Sequence, residues 1–241
     1  MLMIWTEKFD IGLQTLDIYR RYPELLPLIG TEYGQMDTKV LIIGESHYLP
    51  EKSHIHLDYT TWYDSSSQNL DDEERDYIYT RQNAGNGKNQ KYDSKAFSIF
   101  RNIETAILEL QPQRINTYNL FRYTVFLNYF LRPAQTGESI VRHEMDKTRS
   151  FWNICALQSI LDYEYLIFVS RMAYNDFDWY YRNVKQLEGI KYFSVPHPSS
   201  SWWNTKSLKY GYKDQPILTG KEKFQKIVSE IGLFDFGTEV F

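Results

Sequence analysis

The chain has 241 residues, 42% of them hydrophobic, and 27 Lys and Arg against 31 Asp and Glu, for a formal net charge of −4. That length fits one α/β domain with a sizeable core, and the acidic balance argues against tight non-specific DNA binding while leaving room for a local basic groove. A single cysteine, Cys155, excludes a disulfide framework, a zinc ribbon or a cysteine-ligated cluster within one chain.

The first residues lack a charged segment followed by a long apolar run. No stretch approaches the roughly 18 apolar residues of a membrane span. A cytoplasmic protein is the expectation. Aromatics make up 17% of the chain. Most are expected in the core, and some could line a pocket for a flat ligand.

In chain order, the apolar spacing predicts a helix over 9–30, interrupted by Pro23. The run Val40-Leu41-Ile42-Ile43-Gly44 reads as a buried parallel strand. Residues 49–94 are polar and carry Asp71-Asp72-Glu73-Glu74 and a stretch rich in Asn and Gly. They read as a long irregular insertion, a functional loop or lid, holding a short helix over 70–81. A helix over 95–110 with Ser94 as N-cap follows, then a strand over 114–121 and a loop over 132–137. A helix over 148–161, a strand over 165–169, a helix over 173–186, a strand over 190–195 and a helix over 220–231 complete the pattern. Cys155 falls on an apolar helix face and reads as packing.

Alternating strands and helices imply one domain, a three-layer αβα sandwich around a mostly parallel sheet of four strands. Ligands of such sheets bind at the carboxyl ends of the strands. The segments just past each strand are therefore the candidates. Gly44-Glu45-Ser46-His47-Tyr48 follows the first strand. There Gly44 permits a sharp turn, and Glu45, Ser46 and His47 supply an acid/base group, a hydroxyl and an imidazole. His197-Pro198-Ser199 follows the last strand, and its imidazole can hydrogen-bond a developing negative charge.

In order and placement, the GESHY and HPSS segments resemble the two signature motifs of the uracil-DNA glycosylase superfamily. Those read GQDPYH, or GEAPG in an iron–sulfur branch, and HPSP. Tyr118-Asn119-Leu120-Phe121 is similar to the family strand that ends in Asn. Val169-Ser170-Arg171-Met172-Ala173 is similar to its Gly-x-x-Ala turn, with Ser170 in place of Gly. Residues 97–103 resemble the helix start after the first motif's loop.

The resemblance implies hydrolysis of the N-glycosidic bond of uracil or another damaged base in DNA, through base flipping. By resemblance, Glu45, Ser46 and His197 are catalytic. Gly44, His47, Tyr48, Phe97 and Asn119 hold the base, with Asn119 reading its edge and Tyr48 crowding out a methyl group. Trp62 and Tyr63 join Phe97 as stacking candidates. Ser199, Ser200, Trp202 and Trp203 face DNA, the tryptophans near the family's wedge. The family's water-activating Asp falls at Ser46, so Glu45 is the substitute carboxylate. The cluster cysteines are absent, so no cofactor and no metal are expected. DNA is the expected partner, with no membrane and a monomeric state.

Two other functions compete. One is a catalytically inactive fold relative that binds a nucleobase, nucleotide or protein partner. The other is a metal-dependent hydrolase using His47, His54, His56 and Glu45, although His54-x-His56 reads more simply as a solvated loop. Gly44-Glu45-Ser46-His47-Tyr48 is not a nucleophile elbow, because Tyr48 stands where the pattern needs Gly.

Overall fold

The computed structural model describes residues 4–85, 97–110, 120–184 and 187–234. The strands are β1 (Leu28–Ile29), β2 (Val40–Gly44), β3 (Tyr48–Leu49), β4 (Val125–Asn128), β5 (Ala134–Gln135), β6 (Tyr165–Phe168) and β7 (Lys191–Ser194). The helices are α1 (Asp10–Leu13), α2 (Asp17–Arg21), α3 (Tyr59–Asp64), α4 (Asp72–Ile78), α5 (Thr80–Gly85), α6 (Ser98–Leu110), α7 (Glu144–Leu161), α8 (Arg171–Val184) and α9 (Gly220–Glu230).

Five strands form a mixed sheet in the order β1-β4-β2-β6-β7. β4, β2, β6 and β7 are parallel, and β1 adds an antiparallel edge. The expectation of four strands thus misses one edge. β2 is buried at all five residues because it is central and covered on both faces. On one face, Leu41 and Ile43 join a core with Phe151, Ile154 and Leu157 of α7 and Ala173 and Phe177 of α8. On the other, Val40 and Ile42 meet Phe100, Ile103 and Ile107 of α6 and Phe224 and Ile227 of α9. Alternate side chains of one strand feeding two cores is what a strand's period of two requires.

Three expectations need correction. Residues 9–30 are not one helix: α1 and α2 are short, a 3-10 turn covers Pro23–Leu25, and Leu28–Ile29 turns into the edge strand. Pro23 ends the helical run, and burial of Leu28 and Ile29 against β4 outweighs their helical spacing. Of the strand expected over 114–121, residues 120 and 121 belong instead to a 3-10 turn, Leu120–Tyr123, and 111–119 lie outside the described residues; β4, which follows, was not expected. The loop over 132–137 contains β5, which pairs in parallel with β3.

The 49–94 insertion is built into the body where it is described, over 49–85. Trp62 stacks on Tyr22 with centroids 4.2 Å apart, and both are buried. The short helix expected there is two helices, α4 and α5, the first opened by a capping box of Asp71 and Glu74. The stretch from 86 to 94, and Ser94 with it, lies outside the described residues.

One buried ion pair ties the insertion to the rest. Arg132 reaches Asp146 of α7 through Nε at 2.8 Å and Nη2 at 2.7 Å. Its Nη1 donates to the carbonyl of His56 at 2.6 Å, and Nη2 also donates to that of Val141 at 2.7 Å. Asp146 also accepts from the Tyr63 hydroxyl at 3.0 Å and from the His143 backbone at 2.7 Å, which starts α7 four residues earlier than expected. Both charges are almost wholly buried, at 6% and 0% side-chain exposure. Among the described residues, no helix is long and apolar enough to cross a membrane.

Removing one partner of such a pair strands the other in the core. Arg132→Met is expected to lower unfolding stability by about 3–5 kcal/mol in urea titration. A loss below about 1 kcal/mol would show that the pair does not anchor the insertion.

Candidate functional site

Parallel register sets the carboxyl ends of the central strands side by side. Gly44 of β2 pairs with Asn128 of β4, while Ile43 pairs with Phe168 of β6, which in turn pairs with Ser194 of β7. The residues that follow project past the same edge of the sheet: Glu45, Ser170 and His197.

Asn128 occupies the space that a side chain at position 44 would take. A Cβ built on Gly44 would lie 2.2 Å from Asn128 Oδ1 and 3.2 Å from the Phe126 ring. The glycine is required here for close approach rather than for backbone conformation. The carboxamide is half-buried and makes no hydrogen bond with a described residue. Asn119, the amide expected in this position, lies outside the described residues.

The segment after β2 is held rigidly. The Gly44 carbonyl accepts from Tyr129 N–H at 3.2 Å, that of Glu45 from Phe130 N–H at 2.8 Å, and that of His47 from Ala134 N–H at 2.8 Å. Glu45 accepts a hydrogen bond at 2.8 Å from the Ser170 hydroxyl. Ser170 also accepts from Ala173 N–H at 3.3 Å, so the residue that caps α8 orients the carboxylate. The sequence showed Ser170 only as a turn residue in place of glycine. Its position, three residues before Ala173 at a helix start, was the available signal for a cap.

His197 follows β7 at the edge of the sheet where Glu45 follows β2. Burial holds its pKa below the usual histidine value, and the charge of Glu45 partly offsets that. Its Nδ1 accepts from Ser199 N–H at 3.2 Å, which places the proton of the neutral ring on Nε2. The loop is clamped from several sides. Ser200 N–H and Oγ both bond the His197 carbonyl, at 2.9 and 2.7 Å. Ser199 Oγ meets Ser98 Oγ of α6 at 2.5 Å, and Asn102 donates to the Pro198 carbonyl at 2.8 Å. Behind it, Gly220 of α9 lies against the Pro196 ring.

The remaining candidates divide. His47 is buried, its Nε2 3.0 Å from Thr80 Oγ1, and burial pushes its pKa down to about 4, so it is a neutral structural contact at ordinary pH. Ser46 is half-buried, and Tyr48 is exposed, its hydroxyl pKa raised by burial and by the Glu45 charge. Phe97 is half-buried at the start of α6. Trp62 and Tyr63 belong to the core and present no face to a ligand. Trp203 is buried against Phe224, 5.8 Å between centroids, and is not a surface wedge; Trp202 is exposed. Cys155 packs on the core as expected, and burial raises its thiol to about 12.

His56 is buried and His54 exposed, so the two do not share a face, and neither is a simple solvated pair. Among the described residues no three His, Cys, Asp or Glu side chains are grouped to hold a metal. Searches with protein-family models and against curated proteins find no match to this chain.

The site therefore offers a fixed carboxylate, a neutral imidazole with its donor on Nε2 and an amide with no partner among the described residues. In NMR titration, the His197 ring is expected to titrate below the ordinary value of about 6.5. Because the Glu45 charge favours the imidazolium, Glu45→Gln is expected to lower the midpoint further. A midpoint that rises or stays fixed in Glu45→Gln would separate the two groups.

Proposed function

We propose that this chain is a divergent uracil-DNA glycosylase-like enzyme that hydrolyses the N-glycosidic bond of uracil or another damaged base in DNA. The observation that carries the reading is the convergence of Glu45, Asn128 and His197 at one edge of the sheet. The GESHY and HPSS resemblance supplies the chemistry, and Asn128 takes the role that it gave to Asn119.

Each group suits a separate demand of the reaction. As the bond to the sugar breaks, negative charge grows on the base, and the Nε2–H of neutral His197 can donate to the oxygen that receives it. A neutral donor is suited to this task because it is already oriented by Ser199 N–H. Positive charge grows on the sugar, and Glu45, oriented by Ser170, can stabilise it and accept the proton of an attacking water. The Asn128 amide can pair with both a carbonyl and an N–H on the base edge. Ser199 and Trp202 are exposed beside the site and suit contact with DNA.

A second reading, an inactive relative that binds a nucleobase or nucleotide, is favoured by Ser46 in the place of the family's aspartate. Turnover separates the two. Uracil in single- or double-stranded DNA should give free base and an alkali-sensitive abasic site. Glu45→Gln and His197→Ala are each expected to slow base release by about 100-fold or more. No release from a panel of damaged bases at excess protein would leave binding alone.

A further inference from the structure

Two cations at the same edge of the sheet have no carboxylate partner among the described residues. Arg171 opens α8, directly after Ser170, and its exposed guanidinium lies 5.5 Å from the Tyr174 ring centroid. Lys223 sits in the first turn of α9 and is half-buried. On the same helix Lys221 is paired with Glu109, and Glu230 with Lys213.

Topology sets the two at the same edge of the sheet. Phe168 and Ser194 are register partners, so the chain leaves β6 toward Arg171 beside the place where it leaves β7 toward Pro196. α9 starts against that proline: a Cβ on Gly220 would lie 2.8 Å from its ring. Lys221 and Gln225 of α9 reach Glu109 of α6. At 3.6 residues per turn, Lys223 stands roughly 160° around the helix from both, on the flank away from α6. The electrostatics agree, since burial and the Arg171 charge both hold the Lys223 ammonium below its usual pKa. Two like charges within electrostatic reach of each other, neither paired with a carboxylate among the described residues, make a place where an anion is favoured.

We propose that Arg171 and Lys223 form a phosphate-binding pair at the rim of the Glu45–His197 site, taking the phosphate attached to the nucleoside whose base the site holds. The nucleoside part rests on the function proposed above; the phosphate part rests on the two cations. Arg171 offers a planar fork to two phosphate oxygens and Lys223 a point charge from the other side. The phosphate can be a phosphodiester of a DNA strand or the monoester of a free nucleotide.

Binding without turnover tests this. The full chain and the double variant Arg171→Gln/Lys223→Gln are titrated with a labelled uracil-containing single-stranded oligonucleotide, with dUMP and with deoxyuridine. Oligonucleotide affinity is expected to fall at least tenfold in the double variant, and its log–log salt slope to flatten by about 1.4, roughly 0.7 for each charge removed on a single strand. Deoxyuridine, which has no phosphate, should bind both proteins equally, and Arg171→Lys/Lys223→Arg, which keeps both charges, should retain the salt slope. Loss of dUMP binding as well assigns a site that accepts a monoester; loss of the oligonucleotide alone assigns a backbone phosphodiester.

Equal affinities and slopes in wild type and double variant overturn the proposal, as does failure of the wild type to bind any phosphate-bearing ligand. The two ideas fail separately. Phosphate-dependent binding with no base release removes the glycosylase and keeps the pair. Base release with unaltered salt slopes does the reverse.

Discussion

The missing side chain at Gly44 is the constraint on which the site depends. Because nothing projects from the last residue of β2, the Asn128 amide lies across the end of that strand. The same register pairs that place the amide there set β6 and β7 alongside, so the groups that follow each strand meet at one edge. Even an alanine at position 44 would have to displace the amide or part the two strands. The sheet thus fixes which chemical groups meet, and the loops only aim them.

Aiming is done by short-range hydrogen bonds. Ser170 spends one hydroxyl on two tasks, capping α8 and orienting Glu45. Ser199 uses its backbone N–H to choose the tautomer of His197. α6 then holds the His197 loop through Ser98 and Asn102. Glu45 and His197 are consequently held in place, as the proposed stabilisation by preorganised dipoles requires. Over its described residues, 49–85, the insertion contributes stiffness through Trp62, Tyr63 and the Arg132–Asp146 pair.

Much of this could be read from the sequence, for physical reasons that also explain the failures. β2, β6 and β7 are runs of β-favouring and apolar residues bounded by Gly, Ser or polar residues, and so they stand out. Glu45 and His197 were visible because each follows such a run. β4 was hidden because Val125-Phe126-Leu127 continues into Tyr129-Phe130-Leu131 with no Gly or Pro between them to mark its end. Asn128 was lost with it. The insertion looked solvated because its polar residues dominate locally, and no local pattern reveals that Trp62 stacks on Tyr22 some forty residues away. Trp202 and Trp203 read alike in sequence, yet one is exposed and the other buried by the 3-10 turn they share.

The central claim is that Glu45, Asn128 and His197 together define a pocket for a nucleobase. A crystal structure of the protein soaked with uracil tests it most directly. The account predicts the ring at the edge of the sheet, its carbonyl and N–H paired with the Asn128 amide and a ring oxygen within hydrogen-bond reach of His197 Nε2. Uracil bound elsewhere, or in the pocket with Asn128 turned away from it, would contradict the account.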